Sequence, residues 1–355
     1  MWKKRAEEKA GKRNNYTWYL VMTVLMIVIT MIAGVVVFSF YINHFTKEQD
    51  TSQYNKYYVM IAGDGNASLW QSVYEGAYEA ALEENSYVDL LDGIFEKNYT
   101  REDLMRIAIA SEVDGIIVAA DESDGMTNLI NEAVEAGIPV VTLYGDNTHS
   151  ARCSFVGIGS YDLGREYGRQ VLEIVEKTDV ADETEKPIEV MVLVNANAMD
   201  SGQNILCSAI QDTLEKEKPE SMEFELSLVS INDENAFSVE ESIRDIFKEE
   251  ELPDIIICLN ELNTTCVYQA VVDYNKVGQV NILGYYDSDT IMKAIDRNVI
   301  YATIAIDTMQ MGRFCVEALT EYNTYGNTSQ YFTADIALIN KDNVAFYMEE
   351  EADEP

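Results

Sequence analysis

Two stretches of this chain run in step with two later ones. "YVMIAGDGNASLWQSVYEGAYEAALEEN" (58–85) has a counterpart in "EVMVLVNANAMDSGQNILCSAIQDTLEKE" (189–217). "DGIIVAADESDGMTNLINEAVEAGIPVV" (114–141) has one in "DIIICLNELNTTCVYQAVVDYNKVGQVNIL" (254–283). The offsets are nearly equal, 131 from Val59 to Val190 and 140 from Asp114 to Asp254. Units this long exclude a solenoid, whose repeats are far shorter, and leave two similar lobes in tandem.

Each copy alternates short apolar runs with stretches of helical spacing. In the first, "YYVMIA" (57–62), "YVDLL" (87–91), "GIIVAA" (115–120) and "IPVVTLY" (138–144) read as strands. "LWQSVYEGAYEAALEE" (69–84), "REDLMRIAIAS" (101–111) and "MTNLINEAVEAG" (126–137, closed by Gly137) read as helices. Such alternation predicts βαβ units on a parallel sheet, and near-continuous apolarity fits strands covered on both faces. The fold class is therefore α/β with two tandem Rossmann-like lobes. "KTDVADETEKP" (177–187) reads as a polar surface insertion.

Charge is partitioned. The chain carries −37 overall, yet residues 1–13 hold six basic side chains against Glu7 and Glu8. A body this acidic repels phosphate backbones, so nucleic acid is excluded as a partner. From Asn14 to Thr46 there is no Asp, Glu, Lys or Arg. Tyr19–Ile42 is almost wholly apolar, enough for the roughly 20 residues that cross a bilayer. Tyr16, Trp18, Tyr19, Phe40 and Tyr41 flank it as interfacial rings, and the basic leader places the N-terminus in the cytoplasm. A poor small-x-small site after the span favours an uncleaved anchor over a signal peptide. The expected order is a cytoplasmic basic segment (1–15), a transmembrane anchor (16–42) and a stalk (43–55). An outer two-lobed body follows, closed by an acidic tail (350–355).

Several chemistries are excluded. Cys153, Cys207, Cys258, Cys266 and Cys315 make an odd count without tight spacing, so neither a disulfide framework nor a zinc site is expected. His44 and His149 are too few and too far apart for a His-centred triad. Asp64, Asn66, Ser68 and Glu75 have calcium-loop spacing, but Leu69 stands where that loop needs glycine. No P-loop occurs, and no cofactor is expected. In open parallel sheets, ligands bind beyond the strands' carboxyl ends. Here those ends are polar: "GDGNASLW" (63–70), "ADES" (120–123), "YGDN" (144–147), "NANAMDSGQN" (195–204), "LNELN" (259–263) and "YYDSD" (285–289). Amides and carboxylates at facing rims suit hydroxyl groups.

These features together resemble the type I periplasmic binding proteins of sugar transport, the group that includes ribose- and galactose-binding proteins. "VDGIIVAADESDGMTNLINEAVEAGIPVVTL" is similar to that family's third and fourth strands. "FVGIGSYDLGREYGRQVL" (155–172) and "NVIYATIAIDTMQMGRFCVEAL" (298–319) resemble its crossovers, and "ALINKDNVAFY" (337–347) its C-terminal finish. The resemblance implies an N-lobe of 55–158 with 306–333 and a C-lobe of 159–305 with 334–349, closing on one ligand. It implies a non-enzymatic binder delivering a small neutral sugar to an ABC permease, or presenting it to a membrane sensor kinase. It also implies a ligand-binding set of Asp64, Asn66, Trp70, Tyr144, Asp146, Gln203, Asn204, Asn260, Asp287 and Asp307. Ribose-type members carry an Asp-Arg pair where Tyr144 and Gly145 stand, and many carry an arginine where Leu206 stands. Ribose is therefore not the expected ligand. Lactose-repressor-type regulators share the core but need a DNA-binding segment where this chain has its apolar run.

Overall fold

The computed structural model describes residues 26, 54–62, 68–94, 99–177, 186–196, 201–219, 222–232, 235–249 and 251–353. The expected anchor (apart from Met26), the stalk, most of the 177–187 insertion, Asp64 and Asn66 lie outside them. Among the described residues no helix is long and apolar enough to cross a membrane. The chain divides into Met1–Asn55 and a second compact unit, Lys56–Pro355, which carries the fold described below.

The first half runs β1 (Lys56–Ile61), α1 (Ser68–Glu83), β2 (Ser86–Leu90), α2 (Leu91–Ile94), α3 (Arg101–Ala110), β3 (Gly115–Val118), α4 (Asp124–Glu135), β4 (Val140–Leu143) and β5 (Ser154–Ile158). The second runs α5 (Ser160–Lys177), β6 (Ile188–Asn195), α6 (Ser201–Glu217), β7 (Phe224–Ile231), α7 (Ala236–Ile246), β8 (Ile255–Cys258), α8 (Glu261–Asp273), β9 (Asn281–Tyr285), α9 (Asp289–Asp296) and β10 (Ala302–Ile306). The chain ends with α10 (Thr308–Tyr325), β11 (Tyr331–Ala334), β12 (Ile336–Asn340) and α11 (Val344–Asp353). That last helix takes in the start of the expected acidic tail, since a glutamate run is a fair helix former.

Two six-stranded sheets result, in the orders β11-β5-β4-β3-β1-β2 and β12-β10-β9-β8-β6-β7. Every pairing is parallel except that of β12 with β10. The chain passes between the sheets three times: after β5, after β10 and between β11 and β12. At the last two passages the residue at the junction still belongs to the strand it leaves, Ile306 to β10 and Ala334 to β11. Asp335 alone separates β11 from β12. Its N–H donates to Gln310 Oε1 (2.7 Å), its carboxylate accepts from Gln310 Nε2 (3.0 Å), and its carbonyl accepts from Asp307 N (3.0 Å).

Strand alternation sorts the core. Val59 and Ile61 pack with α3 and α4 on one face of the first sheet; Tyr58 and Met60 face the other way. That second face joins one face of the second sheet in a single buried cluster reaching Val190, Ile257 and Ile304. Each buried Val or Ile contributes on the order of 1.5–3 kcal/mol. The helices are stopped by local chemistry: Thr100 and Asp103 form a capping box on α3, Ser123 caps α4, and Gly137 takes φ +86° just past α4. Helices α1 and α10 meet so closely at Gly76 and Gly312 that a Cβ on Gly312 would lie 2.0 Å from the Val73 carbonyl oxygen.

The duplication is real, with a shifted register. Asp114 Oδ2 accepts from Tyr57 N and Asp254 Oδ2 from Glu189 N, both at 2.9 Å, each aspartate tying the entering third strand to the first. The ladders equate Tyr58 with Val190, not Val59 with Val190. The last four residues of β1 are buried on both faces and carry no in–out alternation, so a slip of one residue against β6 leaves no trace on that strand.

Candidate functional site

At the carboxyl ends of β4 and β9, equivalent strands of the two sheets, the backbone does something unusual. Tyr144 and Tyr286 follow directly, with φ of +65° and +75°. Tyr144 N donates to Val156 O on β5, and Tyr286 N to Ile304 O on β10, both at 2.9 Å. Gly145 N donates to Leu143 O (2.7 Å), making a tight γ-turn centred on Tyr144. A left-handed aromatic residue costs on the order of 1 kcal/mol, and such strain persists where a site requires it. The turn throws the Tyr144 side chain out of the sheet, where it is 36% exposed. Its hydroxyl meets that of Tyr285, from the other sheet, at 3.1 Å.

These two tyrosines border a cavity of about 370 Å³ between the lobes. That lies within the ~300–1,000 Å³ usual for small-ligand sites. The first lobe contributes Glu122, Tyr144, Asp146 and Thr148 from strand-end loops, with Phe155 and Tyr331 beside them. The second contributes Asn195, Gln203, Leu206 and Asn260. Asn260 is fixed as the N-cap of α8: its Oδ1 accepts from Asn263 N (2.7 Å), and its Nδ2 donates to Asn195 Oδ1 (3.0 Å).

Asp146 is held hard. Its carboxylate forms a two-pronged ion pair with Arg152 Nε and Nη2, the latter at 2.7 Å, and accepts from Thr142 Oγ1 (2.9 Å) and Asn147 N (2.7 Å). The Arg152 guanidinium carbon lies 5.9 Å from the Phe155 ring centre and 5.2 Å from that of Tyr331. The fully buried Asn147 braces this loop by donating to Asp121 O (2.7 Å) and Thr127 Oγ1 (2.9 Å).

Of the residues expected from sequence, Tyr144, Asp146, Gln203 and Asn260 line the cavity. Half-buried Trp70, in the first turn of α1, is not among the lining residues but packs edge-on against Tyr144, which is, with ring centres 5.8 Å apart. Asn204 is exposed and is not among the lining residues. Asp307 is exposed and caps α10, its Oδ1 accepting from Gln310 N (2.8 Å). Asp287 is half-buried, outside the cavity wall. Sequence reasoning did not select Tyr285, although it quoted the rim "YYDSD" that holds it, nor Phe155 or Tyr331. It quoted the rims holding Glu122 and Asn195 without selecting either. Arg152 had one available signal, the need of Asp146 for a cation.

A family model described as a periplasmic binding protein domain matches residues 57–327. The chain belongs to the periplasmic binding protein family. No curated protein matches the sequence. Among solved structures, it is similar to a sugar ABC transporter sugar-binding protein from Bacillus halodurans, at 20% identity and TM-score 0.68, covering 82% of this chain and 100% of that one. A periplasmic ribose ABC transporter protein from Conexibacter woesei DSM 14684 matches at 17% and 0.67, covering 84% and 96%. The XylFII-LytSN complex matches at 22% and 0.65, covering 81% and 98%. At these identities the likeness is one of fold.

In this periplasmic binding protein the Asp287 carboxyl carries a pH signature. Burial lifts the Asp287 carboxyl above its usual range, and Glu261 and Asp307 add to the shift. Because the folded-state value is the higher one, the stability involved is full at acid pH below the unfolded value and is lost as pH rises through the folded one. Asp287→Asn should therefore melt modestly higher than the parent at neutral pH. The gap should close below about pH 4, where an ordinary aspartate is itself protonated. Melting curves from pH 3 to 8 check this, and a gap that does not vary with pH would refute it.

Proposed function

We propose that this chain is a membrane-anchored, extracytoplasmic solute-binding protein that closes two lobes on a small sugar and hands it to an ABC permease. One observation carries the reading: the cavity is walled by strand ends from both sheets, and Tyr144 reaches Tyr285 across it. A ligand there contacts both lobes only when they are closed, so binding itself drives closure. Rings for the C–H faces and amides for the hydroxyls are the groups a sugar needs. The apolar run Tyr19–Ile42 would serve as the anchor, with the basic leader inside. We read the protein as a binder, not an enzyme, as its family match suggests. A second reading, presentation of the liganded protein to a membrane sensor kinase, is favoured by the match to a fold solved as the XylFII-LytSN complex.

The test is a thermal-shift screen of the full chain in detergent against neutral pentoses and hexoses. A true ligand at ~100 times its dissociation constant should add about 2.7 kcal/mol of stability. Trp70→Ala, which removes the support of Tyr144, should weaken that ligand by roughly 30-fold, the equivalent of about 2 kcal/mol. A variant that responds as strongly as its parent would remove Trp70 from the site. Of the remaining expected ligand residues, Asp64, Asn66, Asn204, Asp287 and Asp307 stand as proposals for the same screen.

A further inference from the structure

Resting on the reading of the cleft as a sugar site, we propose that the ligand is a glycoside, a sugar bearing an apolar alkyl or aryl substituent, and that this substituent packs between Phe155 and Tyr331 of the first lobe and Ile205 and Leu206 of the second. The starting point is that the polar side chains of the wall are already engaged. The Asp146 carboxylate accepts from Arg152 Nε and Nη2, Thr142 Oγ1 and Asn147 N. The Asn260 amide is bonded at both ends, its Oδ1 accepting from Asn263 N and its Nδ2 donating to Asn195 Oδ1. Glu122 and Gln203 have partners of their own, and the Tyr285 hydroxyl has that of Tyr144. Sugar hydroxyls can join these networks as second partners. Each such bond replaces one to water, so its net contribution is small.

The remainder of the wall is apolar. Phe155, Ile158, Ile205, Leu206, Leu259 and Tyr331 line the same space. Two of them are large apolar side chains left open to water: Tyr331 is 57% exposed and Ile205 48%. A lone exposed apolar residue is ordinary on a protein surface. These two come from different lobes, on β11 and α6, and wall one cavity. An apolar group held there would leave water together with side chains of both lobes. It would therefore favour the closed arrangement more than a bare sugar does.

The rings of this patch are set in place before any ligand arrives. Phe155 and Tyr331 meet edge to face, with centres 6.3 Å apart and planes at 81°. The Phe155 ring lies over Gly157, two residues on along β5, where a Cβ would stand 2.3 Å from Phe155 Cζ. The missing side chain at Gly157 is what leaves the ring its bed. The volume, about 370 Å³, falls in the range that houses drug-sized molecules. A two-part ligand fits this division of the wall, with its sugar at the amides and its apolar end on the patch.

The test titrates the full chain calorimetrically in lipid nanodiscs, so that no alkyl glycoside detergent competes. The probes are D-glucose, D-galactose and D-xylose, each as the free sugar and as its methyl, butyl and phenyl glycosides in both anomers. Butanol and phenol serve as the apolar groups without a sugar. For at least one of these sugars, a butyl or phenyl glycoside is expected to bind roughly tenfold or more tighter than the free sugar and its methyl glycoside, since a hydrophobic pocket discriminates by about that much per methylene. Ile205→Ser should lose most of that preference; because Ile205 is half exposed, the variant should melt like the parent protein without ligand. Free sugars that bind as tightly as their butyl and phenyl glycosides, or an Ile205→Ser protein that keeps the full preference, would overturn this inference and leave the sugar reading standing. Butanol or phenol bound as tightly as the glycosides, or binding of no probe at all, would overturn both.

Discussion

Replacing Gly312 by valine should destabilise the protein by about 3 kcal/mol, at the upper end of what overpacking usually costs. Gly312 lies on α10 where that helix crosses α1. A Cβ there would stand 2.0 Å from Val73 O, 2.5 Å from Ala77 N and 3.0 Å from the Gly76 carbonyl carbon. All three are backbone atoms of one helix, so no side chain can turn aside to make room. The facing Gly76 is constrained in the same way, its Cβ position lying 2.1 Å from Met309 O. Relief would require α10 to move away from α1, and with it the sheet-to-sheet passage that starts at Asp307. Chemical denaturation gives the free-energy loss directly. Because α1 carries Trp70 in its first turn, ligand affinity should fall along with stability. A Gly312→Val protein within 0.5 kcal/mol or so of the parent, which is the usual scatter of surface substitutions, would show that the helices are not held at this contact.

Arg152→Ala should be of similar size, about 3–5 kcal/mol, for an electrostatic reason. Its side chain is 9% exposed and that of Asp146 14%. Removing the guanidinium strands a carboxylate in the cavity wall with only Thr142 and the Asn147 N–H as donors, and strips a cation from the Phe155 and Tyr331 rings. Arg152→Lys keeps the charge but not the two-pronged geometry and should recover part of the loss. Asp146→Leu combined with Arg152→Met should be much less damaging than Arg152→Ala alone, because no charge is then left unmatched. A double-mutant cycle by denaturation measures the coupling. Equal losses in the single and double variants would mean that the pair contributes packing and not charge balance.

How far the sequence reaches is visible in these same residues. The strands β1 to β4 were legible because each is a short apolar run bounded by polar turns, and the duplication was legible because such runs recur at β6 and β8; β7 and β11, largely exposed, were not read. The register of the repeat was not legible, since Val59 lies in a run of four buried residues that gives no phase. In the site, amides and carboxylates at strand ends marked the rims, and the family resemblance then singled out Asp146 and Asn260 within them. Tyr285 and Phe155 had no such mark: an aromatic ring next to a rim or within a strand carries no sign of its own that it faces a cavity until the opposing lobe is seen. Arg152 lies six residues beyond its partner, in a loop whose course no local pattern predicts. The family resemblance placed Asp307 in the ligand-binding set; its carboxylate caps α10, and its part in binding stands as a proposal.

The junction at Asp335 decides how the two halves can part. One residue between consecutive strands leaves no slack, so neither half can glide past the other or back away without tearing its own ladder. Gln310 and the Asp307 N–H clasp that residue to the neighbouring passage, so two of the three bridges share one axle. What remains is a swing about that point, absorbed by a few backbone torsions, with the mouth widening most at the end remote from it.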